Sequence, residues 1–435
     1  MKGENGKMKS DIEQTEIEAP YELPEGWKWC RLGELAKFER GITFPASAKE
    51  KEKNENNIPC LRTANVQENI ELEDLIYVNK SFMKNNIKKL IQNNDIVFSS
   101  ANSRELVGKS AFISNVSFPM TFGGFILCIR ATNSNSKFLF YFLRLHFLLG
   151  RFMGKSTQTT NIANINTETL SNIIIPLPPT LAEQQRIVNR IESMFAKLDE
   201  AKEKAQNVVD GFETRKAAIL HKAFTGELTA KWRKENGVSD DSWEEKTIGE
   251  CGKWERGRSK HRPRNAPELF GGKYPFIQTG DIANADIYIY EHKQTLSEFG
   301  FQQSRLFPKD TLCITIAANI GKVAILTYDC CFPDSVVGFT PFENVDSKFM
   351  YYKINDMQKD LEAMAPATAQ KNLNLKLLTS VSVQIPTFPE QVEIVRILDI
   401  IIEKETRAKE AAQTVLDQIA LLKKSILARA FRGEL

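Results

Sequence analysis

The chain contains two copies of one sequence pattern, and this internal duplication limits the folds it can adopt. Anchor residues of the two copies lie 216 positions apart and pair as Trp27 with Trp243, Gly33-Glu34 with Gly249-Glu250, Glu39-Arg40-Gly41 with Glu255-Arg256-Gly257, and Pro59 with Pro275. The spacing changes further along the chain, where Gly108-Lys109 is matched by Gly321-Lys322. Loops that differ in length between shared anchors indicate two related domains with a common core and different surfaces.

The last segment of each copy is matched without any insertion. Residues 183–228 pair with residues 390–435 at a constant spacing of 207. Apolar residues in both segments alternate at spacings of four and three, which is typical of a coiled-coil seam. We predict two equal helices of about 40 residues, each about 60 Å long, that pack as an antiparallel coiled coil. The predicted seam consists of Ile187, Ile191, Met194, Leu198, Phe212, Ile219, Ile394, Leu398, Ile401, Val415, Ile419 and Ile426.

The segments before these helices predict two globular domains of mixed α/β structure. Short β-like runs occur at 58–61, 95–98, 125–130 and 173–175, with counterparts at 274–277, 311–315, 336–340 and 381–385. The predicted organisation is a flexible tail at 1–20, domain 1 at 21–180, the first helix at 181–230, domain 2 at 231–388 and the second helix at 389–435.

Charge and composition exclude several classes of protein. Lys and Arg number 58 against 55 Asp and Glu, a formal net charge of +3, so a uniformly basic coat is excluded while a local basic patch is not. No apolar run is long enough for a membrane span, and residues 1–18 lack the apolar centre of a signal peptide. The seven cysteines contain no CxxC, which argues against a disulfide framework or a zinc site. These features predict a cytoplasmic protein.

The sequence holds no recognisable catalytic constellation. The four histidines share no ligand spacing, and Gly108-Lys109-Ser110 lacks the glycine that a phosphate-binding loop needs five residues earlier. No GxGxxG follows a predicted strand, and there is no motif for gripping an extruded base. We therefore expect no catalytic residue, no metal and no cofactor in this chain.

A basic run in the second copy is the first candidate for DNA contact. Its members are Lys253, Arg256, Arg258, Lys260, Arg262 and Arg264. Pro263 and Pro267 favour an extended loop, and Glu255 is the only acid in the run. Guanidinium and ammonium groups at this density suit phosphates and guanine edges, although a solvated charge run would look the same. The matching region of the first copy, with Arg40 and Thr43, is less basic, so we expect the two copies to recognise different targets.

Two polar segments are further candidates. The first includes Lys155, Thr157 and Gln158, with Gln370 and Lys371 in its counterpart; such groups can bind adenine and phosphates, or simply cap a turn. The second, with Asn102 and Arg104, is matched by Asn319 and could equally be a structural turn. Arg62 and Gln278 complete the candidate DNA-binding set.

The duplicated motifs resemble those of the specificity subunits of type I restriction–modification systems. The first copy shows Leu23-Pro24-Glu25-Gly26-Trp27, Ile175-Pro176-Leu177-Pro178-Pro179, Glu183-Gln184-Gln185-Arg186-Ile187-Val188 and Ala223-Phe224-Thr225-Gly226-Glu227-Leu228. The second copy shows Trp243, Ile248-Gly249-Glu250, Ile385-Pro386, Glu390-Gln391 and Phe431-Arg432-Gly433-Glu434-Leu435. It departs in Thr387-Phe388-Pro389 and in Val392-Glu393, which bears on partner contacts. The resemblance covers residues 23–435.

The resemblance implies a non-catalytic, sequence-specific DNA-binding subunit. Each recognition domain would read one half of a bipartite site in double-stranded DNA, while the helices set the gap and dock two modification (methyltransferase) subunits. S-adenosylmethionine, ATP and Mg would belong to those subunits and to restriction (helicase–nuclease) subunits. The alternative is a stand-alone coiled-coil scaffold whose globular ends bind protein, against which the basic run argues.

Overall fold

The computed structural model describes residues 20–154, 156–159, 162–261, 263–317, 319–365 and 372–435. The predicted tail at 1–20 therefore lies outside the described residues except for Pro20. The chain divides into two compact units. Unit 1 comprises Met1–Ala205 together with Thr414–Leu435, and unit 2 comprises Gln206–Gln413.

Unit 1 contains the first domain and parts of both long helices. Its strands are β1 (Lys28–Arg31), β2 (Ala36–Arg40), β3 (Asn57–Leu61), β4 (Ile76–Asn79), β5 (Ile96–Ser99), β6 (Ala101–Asn102), β7 (Ser110–Phe112), β8 (Thr121–Phe122), β9 (Ile126–Ala131), β10 (Thr157–Thr159), β11 (Ile162–Asn164) and β12 (Ile174–Leu177). Its helices are α1 (Leu32–Leu35), α2 (Ser136–Leu148), α3 (Thr167–Ser171) and most of α4 (Leu181–Asp210).

The strands of unit 1 form four small sheets. An antiparallel sheet has the order β2-β9-β5-β7, and a mixed sheet has the order β4-β3-β8, with β3 and β8 parallel. A third sheet has the order β10-β11-β6. The pair β1-β12 joins the first strand of the domain to the strand that leads into α4. Predicted strands at 58–61, 95–98, 125–130 and 173–175 are thus confirmed within two residues.

Unit 2 repeats this architecture. Its strands are β13 (Glu244–Thr247), β14 (Gly252–Arg256), β15 (Phe270–Phe276), β16 (Tyr288–Ile289), β17 (Gln294–Leu296), β18 (Leu306–Phe307), β19 (Leu312–Thr315), β20 (Val323–Leu326), β21 (Cys330–Cys331), β22 (Val336–Pro341) and β23 (Ser382–Ile385). Its helices are α5 (Phe212–Phe224), α6 (Ala230–Asn236), α7 (Thr279–Asn284), α8 (Glu298–Gln302), α9 (Ser347–Asp356), α10 (Gln358–Met364), α11 (Leu375–Thr379) and the first part of α12 (Phe388–Ala430).

The sheets of unit 2 correspond to those of unit 1. The order β14-β22-β19-β20-β16 matches β2-β9-β5-β7, and β17-β15-β21-β18 matches β4-β3-β8. The pair β13-β23 matches β1-β12. The mixed α/β fold with internal duplication is therefore confirmed.

Each unit builds its core around segments of both long helices. In unit 1, Ile187 and Ile191 of α4 share a core with Leu427 and Ala430 of α12. In unit 2, Leu220 and Phe224 of α5 share a core with Ile394 and Leu398 of α12. The long helices therefore pack into the domain cores as well as against each other.

Cross-helix contacts within each unit show antiparallel packing. In unit 1, Lys423 Nζ lies 2.6 Å from Asp199 Oδ1, while Arg186 donates to the Leu435 carbonyl at 2.9 Å. In unit 2, Arg215 Nε lies 2.6 Å from Glu405 Oε2. As residue numbers rise along one helix they fall along the other, as an antiparallel coiled coil requires.

The first helix differs from the single element predicted at 181–230. α4 ends at Asp210, α5 runs from Phe212 to Phe224, and α6 follows separately. At the break, Arg215 donates to the Val208 carbonyl at 2.9 Å, and Gly211 leaves room for the guanidinium because it has no β-carbon. α5 ends where Gly226 adopts a φ of 78°, a left-handed conformation that stops a helix. α12 is continuous over 43 residues, whereas α4 and α5 cover the matching stretch, Leu181–Phe224, with a one-residue interruption at Gly211.

The burial of the predicted seam is uneven. Ile187, Ile191, Phe212, Ile394, Leu398 and Ile419 are buried, and Met194, Leu198, Ile219, Ile401 and Ile426 are half-buried. Val415 is 39% exposed, contrary to a seam position. The strict four-three repeat missed Phe195, Leu220 and Leu427, which are buried because the domain cores widen the apolar face of each helix.

The Glu-Gln motif at the start of each long helix ties that helix to its own domain. Gln184 Oε1 accepts from the Asn135 backbone N–H at 2.8 Å, just before α2. Gln391 Oε1 accepts from the Asp346 N–H at 2.9 Å, just before α9. Both amides are buried, so each satisfies a backbone group that water cannot reach.

Candidate nucleic-acid interface

The Glu-Arg-Gly motif at the end of β2 and β14 holds one particular turn in each unit. A β-carbon on Gly41 would overlap the carbonyl oxygen of Gly123, and one on Gly257 would overlap that of Pro333. Glycine is required because the turns before β9 and β22 pass directly against the motif.

The glutamates of the motif form repeated ion pairs. Glu39 lies 3.6 Å from Lys89 Nζ, and Glu255 lies 2.8 Å from Arg305 Nη1. Lys89 and Arg305 also lie 216 positions apart. Their equivalence is recognised from the ion pairs in the structure and not from the sequence, because the two residues differ in type.

The arginines of the motif fasten the same turn from the other side. Arg40 Nε donates to the Gly124 carbonyl at 3.3 Å, and Arg256 Nε donates to the Asp334 carbonyl. Each arginine therefore stiffens the turn while its remaining N–H groups are available for other contacts.

Arg40, Thr43 and Arg62 come together at a cavity of about 420 Å³ in unit 1. Lys49 adds a third cation to its lining, which includes the apolar side chains of Ile42, Phe44, Ile76, Phe125 and Ile126. No acidic residue is among the described residues that line it. A cationic rim on an apolar floor suits the phosphates and base edges of DNA.

Arg62 is already oriented at this cavity. Its Nη2 donates to Asp74 Oδ2 at 2.8 Å and to the Asp74 carbonyl at 2.7 Å, and its backbone N–H is capped by Asn65. The corresponding residue in unit 2 is Gln278, whose backbone N–H is capped by Asp281 and whose amide bonds Gln294 at 2.7 Å. The same scaffold thus presents a guanidinium in one unit and an amide in the other.

Asn102 lies on the same small sheet as the predicted polar segment. In the β10-β11-β6 sheet, Asn102 pairs with Ala163, which pairs in turn with Gln158. Thr157 and Gln158 lie on β10, and Arg104 is exposed just beyond β6. Lys155 lies outside the described residues. In unit 2, Asn319 is exposed, while Gln370 and Lys371 are outside the described residues.

The basic run of unit 2 is less free than its sequence suggests. Lys253 and Arg256 belong to β14, not to an extended loop, because Lys253–Arg256 pair with β22 and Trp254 packs on Phe339. Glu255 is not the only acid nearby, since Asp334 Oδ2 lies 2.8 Å from Arg264 Nη2. Lys260 is exposed and Arg258 half-buried in the following loop, and Arg262 lies outside the described residues.

Phe125 is a candidate contact residue that the sequence does not single out. The predicted strand at 125–130 includes Phe125, but the residue lies in the turn before β9, where it is 57% exposed beside Arg40 and Arg62. The signal available in the sequence was Gly123-Gly124 immediately before it, which is typical of a turn and not of a central strand.

The part of the chain that the structure describes has no cluster of three metal-ligating side chains and no exposed cysteine. No three His, Cys, Asp or Glu side chains there gather to hold a metal ion. All seven cysteines are free and buried, and burial raises the pKa of Cys60 to about 12 and that of Cys251 to about 11. No described helix is long and apolar enough to span a bilayer.

Two proteins are similar to this chain over most of its length. The chain is 25% identical over 433 residues to the EcoKI type I restriction enzyme specificity subunit of Escherichia coli (strain K12), covering 95% of this chain and 90% of that protein. It is 24% identical over 432 residues to the StySPI specificity subunit of Salmonella potsdam, with the same coverage.

Solved structures share the fold. The HsdS subunit from Thermoanaerobacter tengcongensis matches with a TM-score of 0.65 at 19% identity, covering 96% of this chain and 100% of that chain. A chain from a study of complex assembly and conformational transition in a type I R-M system matches with a TM-score of 0.70 at the same identity and coverage.

Both copies of the duplication match the model of one protein family. The type I restriction modification DNA specificity domain matches residues 24–209 and again residues 240–416, one match for each copy of the duplication. These relatives do not favour a stand-alone coiled-coil scaffold. The chain belongs to the family of type I restriction–modification DNA specificity subunits, with two recognition domains.

Proposed function

We propose that each recognition domain reads one half of a bipartite site in double-stranded DNA. The observation that carries this proposal is the pair of equivalent turns, each fastened by a Glu-Arg-Gly motif and surrounded by different side chains. Arg62 and Lys49 lie near the turn of unit 1, whereas Gln278 and the cluster of Arg256, Arg264 and Asp334 occupy unit 2. One scaffold with two sets of contacts suits two different half-sites.

The long helices would set the gap between the half-sites and dock two modification (methyltransferase) subunits. Leu181 and Phe388 lie 207 positions apart, at the start of α4 and α12, and are 58% and 43% exposed. An apolar side chain left in solvent at the same place in both copies suits two contacts of the same kind.

Catalysis would belong to the partners. S-adenosylmethionine would bind to the modification subunits, and ATP and Mg to the restriction (helicase–nuclease) subunits, with the whole complex in the cytoplasm. The purified chain alone should transfer no methyl group from labelled S-adenosylmethionine to DNA and should cut none, whereas the chain mixed with its modification subunits should methylate. Methyl transfer by the chain alone would contradict this division.

The gap is tested by lengthening both helices. Four residues are inserted after Ala205 in α4 and four after Gln413 in α12, at the boundaries between units, so contacts within each unit stay intact. Four residues add about 6 Å at about one helical turn. Because DNA rises about 3.4 Å per base pair, the gap should lengthen by about two base pairs.

The measurement is methylation mapping in cells that also carry the partner subunits. A matched insertion of two residues in each helix rotates the seam by about 200° and should abolish activity. An unchanged gap with full activity in the four-residue variant would show that the helices do not set the spacing, and changed half-sites would show that they read bases.

A further inference from the structure

The turn before β9 holds an exposed aromatic ring on a fixed backbone. The Phe125 carbonyl accepts from the Ser100 backbone N–H at 2.9 Å and from Ser100 Oγ at 3.0 Å. On its other side, Arg40 donates to the Gly124 carbonyl. The ring is 57% exposed although its backbone is held from both directions. Single exposed apolar side chains are common on protein surfaces, but this one stands beside cations in the wall of a cavity, which suits a contact outside unit 1.

The surroundings of Phe125 indicate what it contacts. The ring forms part of the wall of the 420 Å³ cavity, whose lining includes Arg40, Lys49 and Arg62. Arg40 and Lys49 suit the phosphates of DNA, while Arg62 is already paired with Asp74. The ring can neither donate nor accept a conventional hydrogen bond at a base edge. It can make only an apolar or stacking contact. Its place in a cavity wall favours a group that enters the cavity over a wedge that projects between base pairs.

Unit 2 presents a different side chain from the same position. Ser335 follows Asp334, and its carbonyl accepts from the Ile316 N–H at 3.0 Å, just as that of Phe125 accepts from Ser100. Arg256 fastens the Asp334 carbonyl as Arg40 fastens that of Gly124. The backbone frame is repeated, and the exposed phenyl ring is replaced by a half-buried hydroxyl.

We propose that Phe125 is a specificity-determining residue that packs on the 5-methyl group of a thymine in the half-site bound by unit 1. The methyl group is the one apolar group that a base edge presents in the major groove. This inference rests on the proposed assignment of one half-site to each recognition domain. In unit 2, Ser335 makes no such contact and can hydrogen-bond instead.

The test compares thymine with uracil, which lacks only the methyl group. After methylation mapping has defined the site, duplexes are made with deoxyuridine in place of each thymine of the first half-site in turn. Binding is measured with the full chain assembled with its modification subunits. Affinity should fall about fourfold at one position, the effect of losing about one buried carbon.

The decisive variant is Phe125→Ser, which places at 125 the residue that unit 2 carries at 335. This variant should bind the thymine and uracil duplexes equally, because the ring that sensed the methyl group is gone. Leu72→Ser, which removes another exposed apolar side chain of unit 1, is the matched control and should keep the fourfold difference. Unchanged circular dichroism of both variants verifies the fold.

The outcomes separate this inference from the assignment of half-sites. No uracil-sensitive position, or sensitivity that survives in Phe125→Ser, would overturn the role of Phe125 and leave the assignment standing. Phe125→Ser should remove uracil sensitivity at a position in one half-site, and Arg256→Ala should weaken contacts to the other half-site. If both variants affect the same half-site, the assignment of one half-site to each recognition domain fails. Equal loss of affinity for both duplexes in Phe125→Ser, with no methyl effect in the wild type, would show that the ring acts as a wedge.

Discussion

Replacing Gln391 by leucine should loosen the junction between the second recognition domain and α12. The buried Gln391 side chain accepts from the Asp346 N–H and donates to the carbonyls of Asn344 at 3.1 Å and Pro386 at 2.9 Å. Leucine fills nearly the same volume but leaves all three backbone groups without a partner. At about 1 kcal/mol for each, unit 2 should lose about 3 kcal/mol of stability.

Gln184 supplies the matched comparison in the same chain. It makes the equivalent bond to the Asn135 N–H, so Gln184→Leu should cost unit 1 only about 1 kcal/mol. Hydrogen exchange of the full chain resolves the two units, and amides of α9 should lose about a hundredfold of protection in Gln391→Leu, since 1.4 kcal/mol is a factor of ten. Equal losses in the two variants, or a loss spread over both units in either one, would refute the reasoning.

Three further predictions follow from contacts within single units. Arg233→Leu should destabilise unit 2 by about 3–5 kcal/mol, because the fully buried carboxylate of Glu390, 2.7 Å away, would lose its cation. The double variant Arg233→Leu/Glu390→Leu should recover most of the lost stability, as measured by hydrogen exchange. Gly257→Ala should lower affinity for one half-site by displacing the turn at 333–335, while Gly280→Ala, where a β-carbon meets nothing within 4 Å, should bind DNA normally in the same titration. Partial burial raises the pKa of Glu68, but the charges of Arg144 and Lys423 outweigh burial and lower that pKa below its usual value. The stability that ionised Glu68 contributes is therefore complete above about pH 4.3 and is lost as the pH falls further. Glu68→Gln should remove this part of the acid dependence of unit 1 in hydrogen-exchange measurements over a pH series.

The duplicated fold was predictable because its signals are local and repeated. The shared anchors revealed two copies of one domain, and apolar runs predicted strands such as β3 and β9 within two residues. The break at Gly211 was not predictable, since it depends on a bond from Arg215 to the Val208 carbonyl that no periodicity encodes.

The candidate site was predictable only in part. The sequence singled out Arg40, Thr43 and Arg62 separately, and the fold brings them to one cavity. It overstated the basic run, because Asp334 approaches Arg264 from a turn 70 residues later in the chain. It missed Phe125 because exposure of a ring depends on which backbone groups hold its turn, and Ser100 provides them from a distant strand end.

The two units differ in how the chain is threaded through them, and this sets an order of events during synthesis. Unit 2 is one continuous segment, whereas unit 1 needs Thr414–Leu435 to complete a core that residues 20–205 begin. Phe431 packs against Phe138 and Phe142 of α2, with ring centres 5.0 and 5.2 Å apart. At about 5–20 residues per second, roughly 200 residues of unit 2 take about 10–40 s to emerge from the ribosome. The domain that leaves the ribosome first therefore waits longest for its last helix, and during that interval the aromatic face of α2 lacks its cover.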